Sequence, residues 1–142
     1  MYRLYIWCVT HFATLSEARA HMADLTDAAM AGQPASYARD GRNVAAVDAD
    51  RLRNALSKLR PAQAQVFHEN EAVGIALPEP ALAVEGPDFN AAVAEMVIAL
   101  REYAADWADH LRLAPNHDNA WGVVQLVALS SDAELADWVR GA

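Results

Sequence analysis

Residues 35–47 set the architecture of the first half of the chain and read Ala35-Ser36-Tyr37-Ala38-Arg39-Asp40-Gly41-Arg42-Asn43-Val44-Ala45-Ala46-Val47. Two runs that favour extended backbone flank Asp40-Gly41, a dipeptide suited to the positive backbone angles of a tight turn. The sequence therefore predicts a β-hairpin, with Arg39 and Arg42 straddling its tip.

A helix is predicted ahead of this hairpin. Thr14-Leu15-Ser16-Glu17 is typical of a capping box, in which the Thr14 hydroxyl accepts a hydrogen bond from the backbone of Glu17. Apolar residues then recur at helical spacing up to a stop at 32–34. This stripe consists of Leu15, Ala18, Met22, Leu25 and Ala29.

A second helix is predicted after the hairpin. Asp48 or Asp50 can cap it, its apolar positions lie within 52–59, and Pro61 ends it. Residues 1–9 alternate as a strand does, although they could equally be an extension from an upstream start codon. With that strand, the order over 1–61 is β-α-β-β-α.

The remaining chain predicts a second α+β module with the order β-β-β-α-β-α. Three short strands are expected at 65–68, 72–77 and 81–85, followed by a long helix that Asp88 caps and Pro115 ends. The apolar run 122–128 is typical of a buried strand. Ser131 or Asp132 then caps a last helix to Arg140.

Charge is distributed unevenly along the 142 residues, whose net charge is −8. Residues 1–61 carry eight basic and six acidic side chains, whereas residues 62–142 carry three basic and thirteen acidic ones. This asymmetry favours two modules, 1–61 and 62–142, with two partners of opposite sign, DNA and a basic protein. Acids that merely keep a domain dissolved explain the charge equally well.

The first module resembles the Phd/YefM antitoxin family. The resemblance covers about residues 10–61 and depends on Ser16-Glu17-Ala18-Arg19, on Gly32-Gln33-Pro34 and on the hairpin Tyr37-Ala38-Arg39-Asp40-Gly41-Arg42. It implies a homodimer or higher oligomer that binds the operator DNA of its own operon. By the same resemblance Arg19 and Arg39 contact DNA, and Arg42 and Ser16 are further candidates. Tyr37-Ala38 departs from the family's Ile-Thr.

The second module is similar to the HicB antitoxin domain, a small degraded ribonuclease-H-like fold. The similarity depends on Ala72-Val73-Gly74-Ile75-Ala76-Leu77-Pro78-Glu79, on Ala83-Val84-Glu85-Gly86 and on the helix after them. Pro80-Ala81-Leu82 departs from the family's Pro-Gly-Cys step. The resemblance implies a surface that binds a protein toxin, for which a basic ribonuclease is one candidate.

Catalytic and metal-binding motifs are not found in the sequence. It holds no glycine-rich phosphate loop, nucleophile elbow or His-Glu-x-x-His pair, and the lone Cys8 excludes a thiolate cluster. Polar groups at 68–71 and at 110–118 are typical of solvated turns. We therefore expect no enzyme activity, no metal and no cofactor. Without a signal peptide or membrane span, we expect a cytoplasmic protein with no membrane partner.

These observations predict an antitoxin of a type II toxin–antitoxin system, which neutralises a cognate protein toxin and represses its own operon. The alternative is a stand-alone DNA-binding transcriptional regulator whose second domain mediates oligomerisation or senses a ligand. A small basic open reading frame beside this one would favour the antitoxin.

Overall fold

The computed structural model describes residues 9–141. They form two compact units that divide between Leu52 and Arg53, upstream of the module boundary predicted after residue 61. Within residues 9–141 no helix combines the length and apolar character that crossing a bilayer requires. Apart from Val9, the strand predicted over residues 1–9 lies outside the described part of the chain.

The first unit contains a three-stranded sheet in the order β1-β2-β3. Its elements are β1 (Thr10–Phe12), α1 (Leu15–Ala20), α2 (Met22–Met30), β2 (Ala35–Arg39) and β3 (Arg42–Ala45), and α3 (Ala49–Leu59) begins in this unit. β1 pairs parallel with β2, and β2 pairs antiparallel with β3. The hairpin and the helical regions predicted on either side of it are confirmed, apart from the break described below, whereas β1 was not predicted.

The hairpin is confirmed in detail. Arg39 pairs with Arg42 across the turn, and Asp40 and Gly41 have φ angles of 50° and 75°. Positive φ at both central residues is the signature of the turn that matches the twist of paired strands. The local turn chemistry therefore fixes the strand register.

The single helix predicted over 14–31 is wrong, because the chain forms α1 and α2 with a break at His21. This residue leaves the helical region, with φ −121° and ψ 32°, and its ring stacks on Phe12 with ring centroids 5.2 Å apart. The capping box is confirmed at its main bond, since the Glu17 amide donates to Thr14 Oγ1 over 3.1 Å. Packing against β1 thus interrupts a pattern that is locally helical.

The second unit is built on an antiparallel meander in the order β4-β5-β6. Its strands are β4 (Gln65–Glu69), β5 (Ala72–Leu77) and β6 (Leu82–Gly86), and its helices are α4 (Phe89–Asp109), α5 (Trp121–Leu129) and α6 (Asp132–Arg140). The Asp88 carboxylate caps α4 by accepting from the Ala91 amide over 2.8 Å. α4 packs on β6 and β5 and on both later helices.

The strand predicted at 122–128 is wrong, because this segment is helix α5. Its buried residues are Val123, Val124, Leu126 and Val127, a spacing that suits one side of a helix packed on α4. A short apolar run is compatible with either structure, and tertiary packing decides. The described order is therefore β-β-β-α-α-α, which differs from the order β-β-β-α-β-α predicted from the sequence pattern.

α4 also ends earlier than its apolar stripe predicts. The helix stops at Asp109, because His110 adopts φ −146° and ψ −34°. Two short 3₁₀ helices follow, at Leu111–Leu113 and Pro115–Ala120. The chain thereby turns back toward α4 before α5 begins.

Arg101 of α4 fixes the corner between α5 and α6. Its guanidinium donates to the Val127 carbonyl and, over 2.8 Å each, to the Ser130 carbonyl and Asp132 Oδ1. Ser131 and Glu134 then close a capping box that begins α6. The amide of Ser131 donates to the Glu134 carboxylate, and this hydrogen bond holds the pKa of Glu134 below its usual value.

Gly86 and Gly122 provide a matched test of this packing. A Cβ on Gly86 would lie 2.6 Å from the Ala92 nitrogen, where β6 meets the start of α4. We expect Gly86→Ala to lower the free energy of unfolding by about 1–3 kcal/mol. A Cβ on Gly122 in α5 would lie at ordinary distances of 3.7–3.8 Å. Gly122→Ala should therefore be neutral or stabilising, by up to about 1 kcal/mol. Urea unfolding followed by circular dichroism measures both, and equal losses would contradict the proposed close approach.

Candidate functional site

Two of the predicted DNA-binding residues, Arg39 and Arg42, lie at the tip of the β2–β3 hairpin. Both side chains are exposed. Arg39 Nε lies 3.5 Å from Asp40 Oδ2, with 61% and 88% of the two side chains exposed. A pair this exposed is weak and easily exchanged for another anion. The hairpin tip thus presents two cations whose register is fixed by the turn.

The other two candidates, Ser16 and Arg19, lie on α1. They are three residues apart and exposed, so they share one side of the helix, whereas Ala18 is buried. Among residues 9–141 no carboxylate lies within 4.0 Å of Arg19 or of Arg42. Both guanidinium groups are therefore available to phosphate oxygens or guanine edges.

α1 and the hairpin meet at a shallow depression of about 350 Å³. It is lined by residues 13–15 at the start of α1 and by 38–41 at the hairpin tip. The structure thereby brings the element that carries Ser16 and Arg19 beside the element that carries Arg39 and Arg42. Two pairs of candidate residues that are distant in sequence therefore belong to neighbouring elements of one unit.

The charge of the first unit is less positive than the sequence interpretation assumed. Arg53, Lys58 and Arg60 fall in the second unit, which leaves five basic and six acidic side chains in residues 1–52. Arg53 Nη2 lies 3.3 Å from Glu134 Oε1, and Arg60 donates to the Asn119 carbonyl. An interaction with DNA would therefore depend on the local arginine cluster, formed by Arg19, Arg39 and Arg42, and not on the net charge of the unit.

Two further polar residues of the first unit were not predicted from the sequence. His11 Nδ1 and Ser36 Oγ lie 2.8 Å apart, on the sheet face opposite Phe12 and Tyr37, which pack on the core. The two residues are cross-strand partners in the parallel β1–β2 pair. Only the register brings them together, so no sequence pattern could have identified them.

The second unit is strongly acidic, with thirteen acidic and six basic side chains in residues 53–142. The exposed side of α4 carries Glu95, Glu102, Asp106 and Asp109. Of these, only Asp109 has a basic side chain within 4.0 Å among the described residues, namely the imidazole of His110. This helix therefore presents a row of carboxylates to solvent.

A cavity of about 290 Å³ lies at the side of α4 nearest the 3₁₀ segment. Its lining includes Arg60, Glu79, Tyr103, Asn116 and His117. The Tyr103 hydroxyl lies 2.8 Å from His117 Nδ1, and burial raises the pKa of Tyr103 above its usual 10.0. A tyrosine that stays protonated can donate to this nitrogen, so the pair orders the segment against α4.

Trp107 completes this cluster, because its Nε1 donates to the His117 carbonyl over 3.1 Å. His117 therefore has hydrogen-bonded partners at both its side chain and its backbone. Within residues 9–141 no three His, Cys, Asp or Glu side chains are arranged to hold a metal ion. The geometry indicates that these aromatic and histidine groups hold the segment between α4 and α5 in place.

Comparison with known proteins finds similarity at the level of structure. No protein-family profile matches the chain, and no curated protein does. A crystal structure from Syntrophomonas wolfei subsp. wolfei, described as the antitoxin part of a candidate toxin/antitoxin system, is similar to it with a TM-score of 0.76. The match covers 92% of this chain and 96% of that one at 19% sequence identity. The two proteins therefore share a fold over nearly their full lengths.

The raised pKa of Tyr103 predicts a pH effect. The folded state favours the neutral hydroxyl, so the stabilisation is present below pH 10.0 and is lost as the pH rises through the higher folded pKa. Tyrosinate absorbance measures this ionisation. The absorbance of wild type minus that of Tyr103→Phe reports the ionisation of Tyr103. We expect the midpoint of this difference to lie at a higher pH in the folded protein than in urea. Identical midpoints in the two conditions would contradict burial as the cause.

Proposed function

We propose that this protein is an antitoxin, which binds a cognate protein toxin with its second unit and represses its own operon with its first. The observation that carries the proposal is the shared fold with the Syntrophomonas antitoxin, which extends over both units and leaves little of either chain unmatched. A similarity of that extent supports a common two-part organisation.

The charge of the second unit supports a basic protein as its partner. Its surface has an excess of carboxylates, several of which have no cation nearby among the described residues. Toxins that cleave RNA need cationic surfaces to bind phosphates, and complementary charge speeds the association of two proteins. A basic ribonuclease is therefore the class of toxin that this unit fits best.

The arginine cluster of the first unit supports operator binding. Arg19, Arg39 and Arg42 lie on two neighbouring elements of a small unit, are exposed, and have at most one weakly held carboxylate as a partner. Guanidinium groups in this condition bind phosphates or guanine edges without first breaking a buried ion pair. Ser16 is placed to add a neutral phosphate contact beside Arg19.

The small core of the first unit supports a homodimer. Within the described residues 9–52, its buried apolar side chains are one leucine and four alanines, namely Leu25, Ala18, Ala28, Ala29 and Ala35. Met22, Met30, Val44 and Val47 are between 42% and 65% exposed. A core of this size stabilises a fold weakly, and a second copy that covers these side chains would add apolar burial and double the arginine clusters over two half-sites.

The alternative function is a stand-alone regulator that senses a ligand with its second unit. The cavity beside Tyr103 and His117 is the observation that favours it. At about 290 Å³ the cavity is at the lower limit of the 300–1,000 Å³ typical of small-molecule sites.

Co-expression with the neighbouring gene, followed by a mobility shift on the upstream promoter, tests the proposed function. A stable complex that binds this DNA with an affinity that falls steeply as salt rises supports the antitoxin. Promoter binding by the chain without any neighbour-encoded partner supports the stand-alone regulator. Failure to bind either the protein or the DNA would refute both.

Single arginine substitutions separate the two proposed activities. We expect Arg19→Ala or Arg39→Ala to weaken operator binding about tenfold or more and to lower the salt slope by about one per protomer, because each removes one DNA contact from each half-site. Toxin neutralisation should be unchanged. Arg112→Ala is the matched control, since Arg112 is an exposed arginine of the second unit whose side chain donates to the Ala108 carbonyl of its own segment. Equal loss of both activities in Arg19→Ala or Arg39→Ala would contradict the division of labour.

A further inference from the structure

Strand β4 forms an open edge of the second sheet. Among the described residues both outer strands pair only with β5, and α4 packs mainly on β6 and less on β5. Four of its five residues are exposed, and the side chain of Val66 is among the large apolar groups that face solvent, at 49% exposure. The edge at β4 therefore has no partner strand among the described residues and lies away from the main packing of α4.

The turn shows which backbone groups point outward from this edge. Glu69 pairs with Ala72 across the two residues Asn70 and Glu71, so these partners exchange both of their backbone hydrogen bonds. Alternation then directs the amides and carbonyls of Gln65, Phe67 and Glu69 toward β5. The amides and carbonyls of Val66 and His68 point away from the sheet, toward the open edge.

This edge lacks the features that usually block pairing with another chain. Natural edge strands are protected by proline, lysine, a bulge or very short length. β4 reads Gln65-Val66-Phe67-His68-Glu69 and pairs with β5 over all five residues without a bulge. The phenyl ring of Phe67 covers its cross-strand partner Gly74, because a Cβ on Gly74 would lie 2.1 Å from the ring. The face of β4 that carries Phe67 is therefore packed against β5.

We propose that β4 accepts a β-strand of the protein toxin, which extends the sheet through the outward amides and carbonyls of Val66 and His68. This inference rests on the proposed function and specifies the surface that binds the partner. Strand addition supplies main-chain hydrogen bonds for affinity, and alternate side chains supply specificity. The edge needs no rearrangement, because the donors and acceptors are already aligned.

Charge indicates that the added strand is basic. Glu69 lies on the edge strand itself, Glu71 in its turn, and Glu85 on the same sheet face as Phe67 and Gly74. Opposite charges on neighbouring strands stabilise a sheet, whereas like charges destabilise it. A second copy of this chain would bring two units with an excess of acids side by side, so a strand with lysine or arginine at alternate positions fits better.

Proline at position 66 tests the proposal without cutting the internal sheet. The Val66 amide is not used by β5, and proline is tolerated on edge strands where the missing donor faces solvent. We expect Val66→Pro to keep the circular dichroism spectrum and lose at least about tenfold of its retention of the neighbouring gene product. Val66→Thr is the matched control, because it changes the side chain and keeps the donor, and it should retain the product.

Hydrogen exchange of the wild-type chain gives a readout that needs no variant. In the free protein the amides of Phe67 and Glu69 should be protected and those of Val66 and His68 should exchange rapidly. On binding the neighbouring gene product, Val66 and His68 should become protected. His68→Pro provides a second substitution of the same kind should Val66→Pro fail to fold.

Three results would overturn the inference. Full retention by a folded Val66→Pro chain, or unchanged exchange at Val66 and His68, would refute the edge while the proposed function stood. A wild-type chain that retains no product would refute the proposed function and the inference together. Light scattering that shows a wild-type oligomer dissociated by Val66→Pro would assign the edge to a second copy.

Discussion

The hydrogen bonds of the Arg101 guanidinium hold the three helices of the second unit together. It lies on α4, the helix that already packs against the sheet, and it satisfies carbonyls of Val127 and Ser130 where α5 ends. The last carbonyls of a helix have no partners within the helix, so an arginine from a neighbouring helix is a natural cap. Asp132 supplies the counter-charge at the start of α6. Because one side chain joins three helices, moving any of them would leave a partly buried cation or carbonyl without a partner.

The elements that could be predicted from the sequence are those whose causes lie within a few residues. The hairpin follows from Asp40-Gly41, and the caps at Thr14, Asp88 and Ser131 each bond to a backbone amide three residues ahead. The errors have causes that are distant in sequence. Segment 122–128 is a helix because α4 offers it a packing surface, and the break at His21 coincides with a ring on β1. Neither neighbour is visible in a local pattern.

The same distinction applies to the candidate site. Exposure of the arginines at the hairpin tip could be anticipated, since a two-residue turn leaves the flanking side chains in solvent. The partition of charge could not, because it was counted along the chain, whereas the boundary between units lies within α3 and moves Arg53 and Arg60 into the acidic unit. The open edge at β4 was equally hidden. The strands themselves were predicted, but which of them is covered by α4 depends on the topology of the whole sheet.

The carboxylates in the second half of α4 destabilise this helix. Asp106 and Asp109 lie in its last turn, where the helix dipole disfavours anions, and Glu102 and Asp106 are like charges one turn apart. Each arrangement costs a few tenths of a kcal/mol to about 1 kcal/mol. A helix optimised for folding alone would carry lysines there. In an antitoxin the carboxylates of α4 and the edge of β4 would have separate roles. Long-range charge mainly accelerates the encounter of two proteins, whereas directional backbone hydrogen bonds at β4 would slow their dissociation. The carboxylates of α4 would therefore govern how quickly a basic toxin is captured, and the strand edge how long it is held.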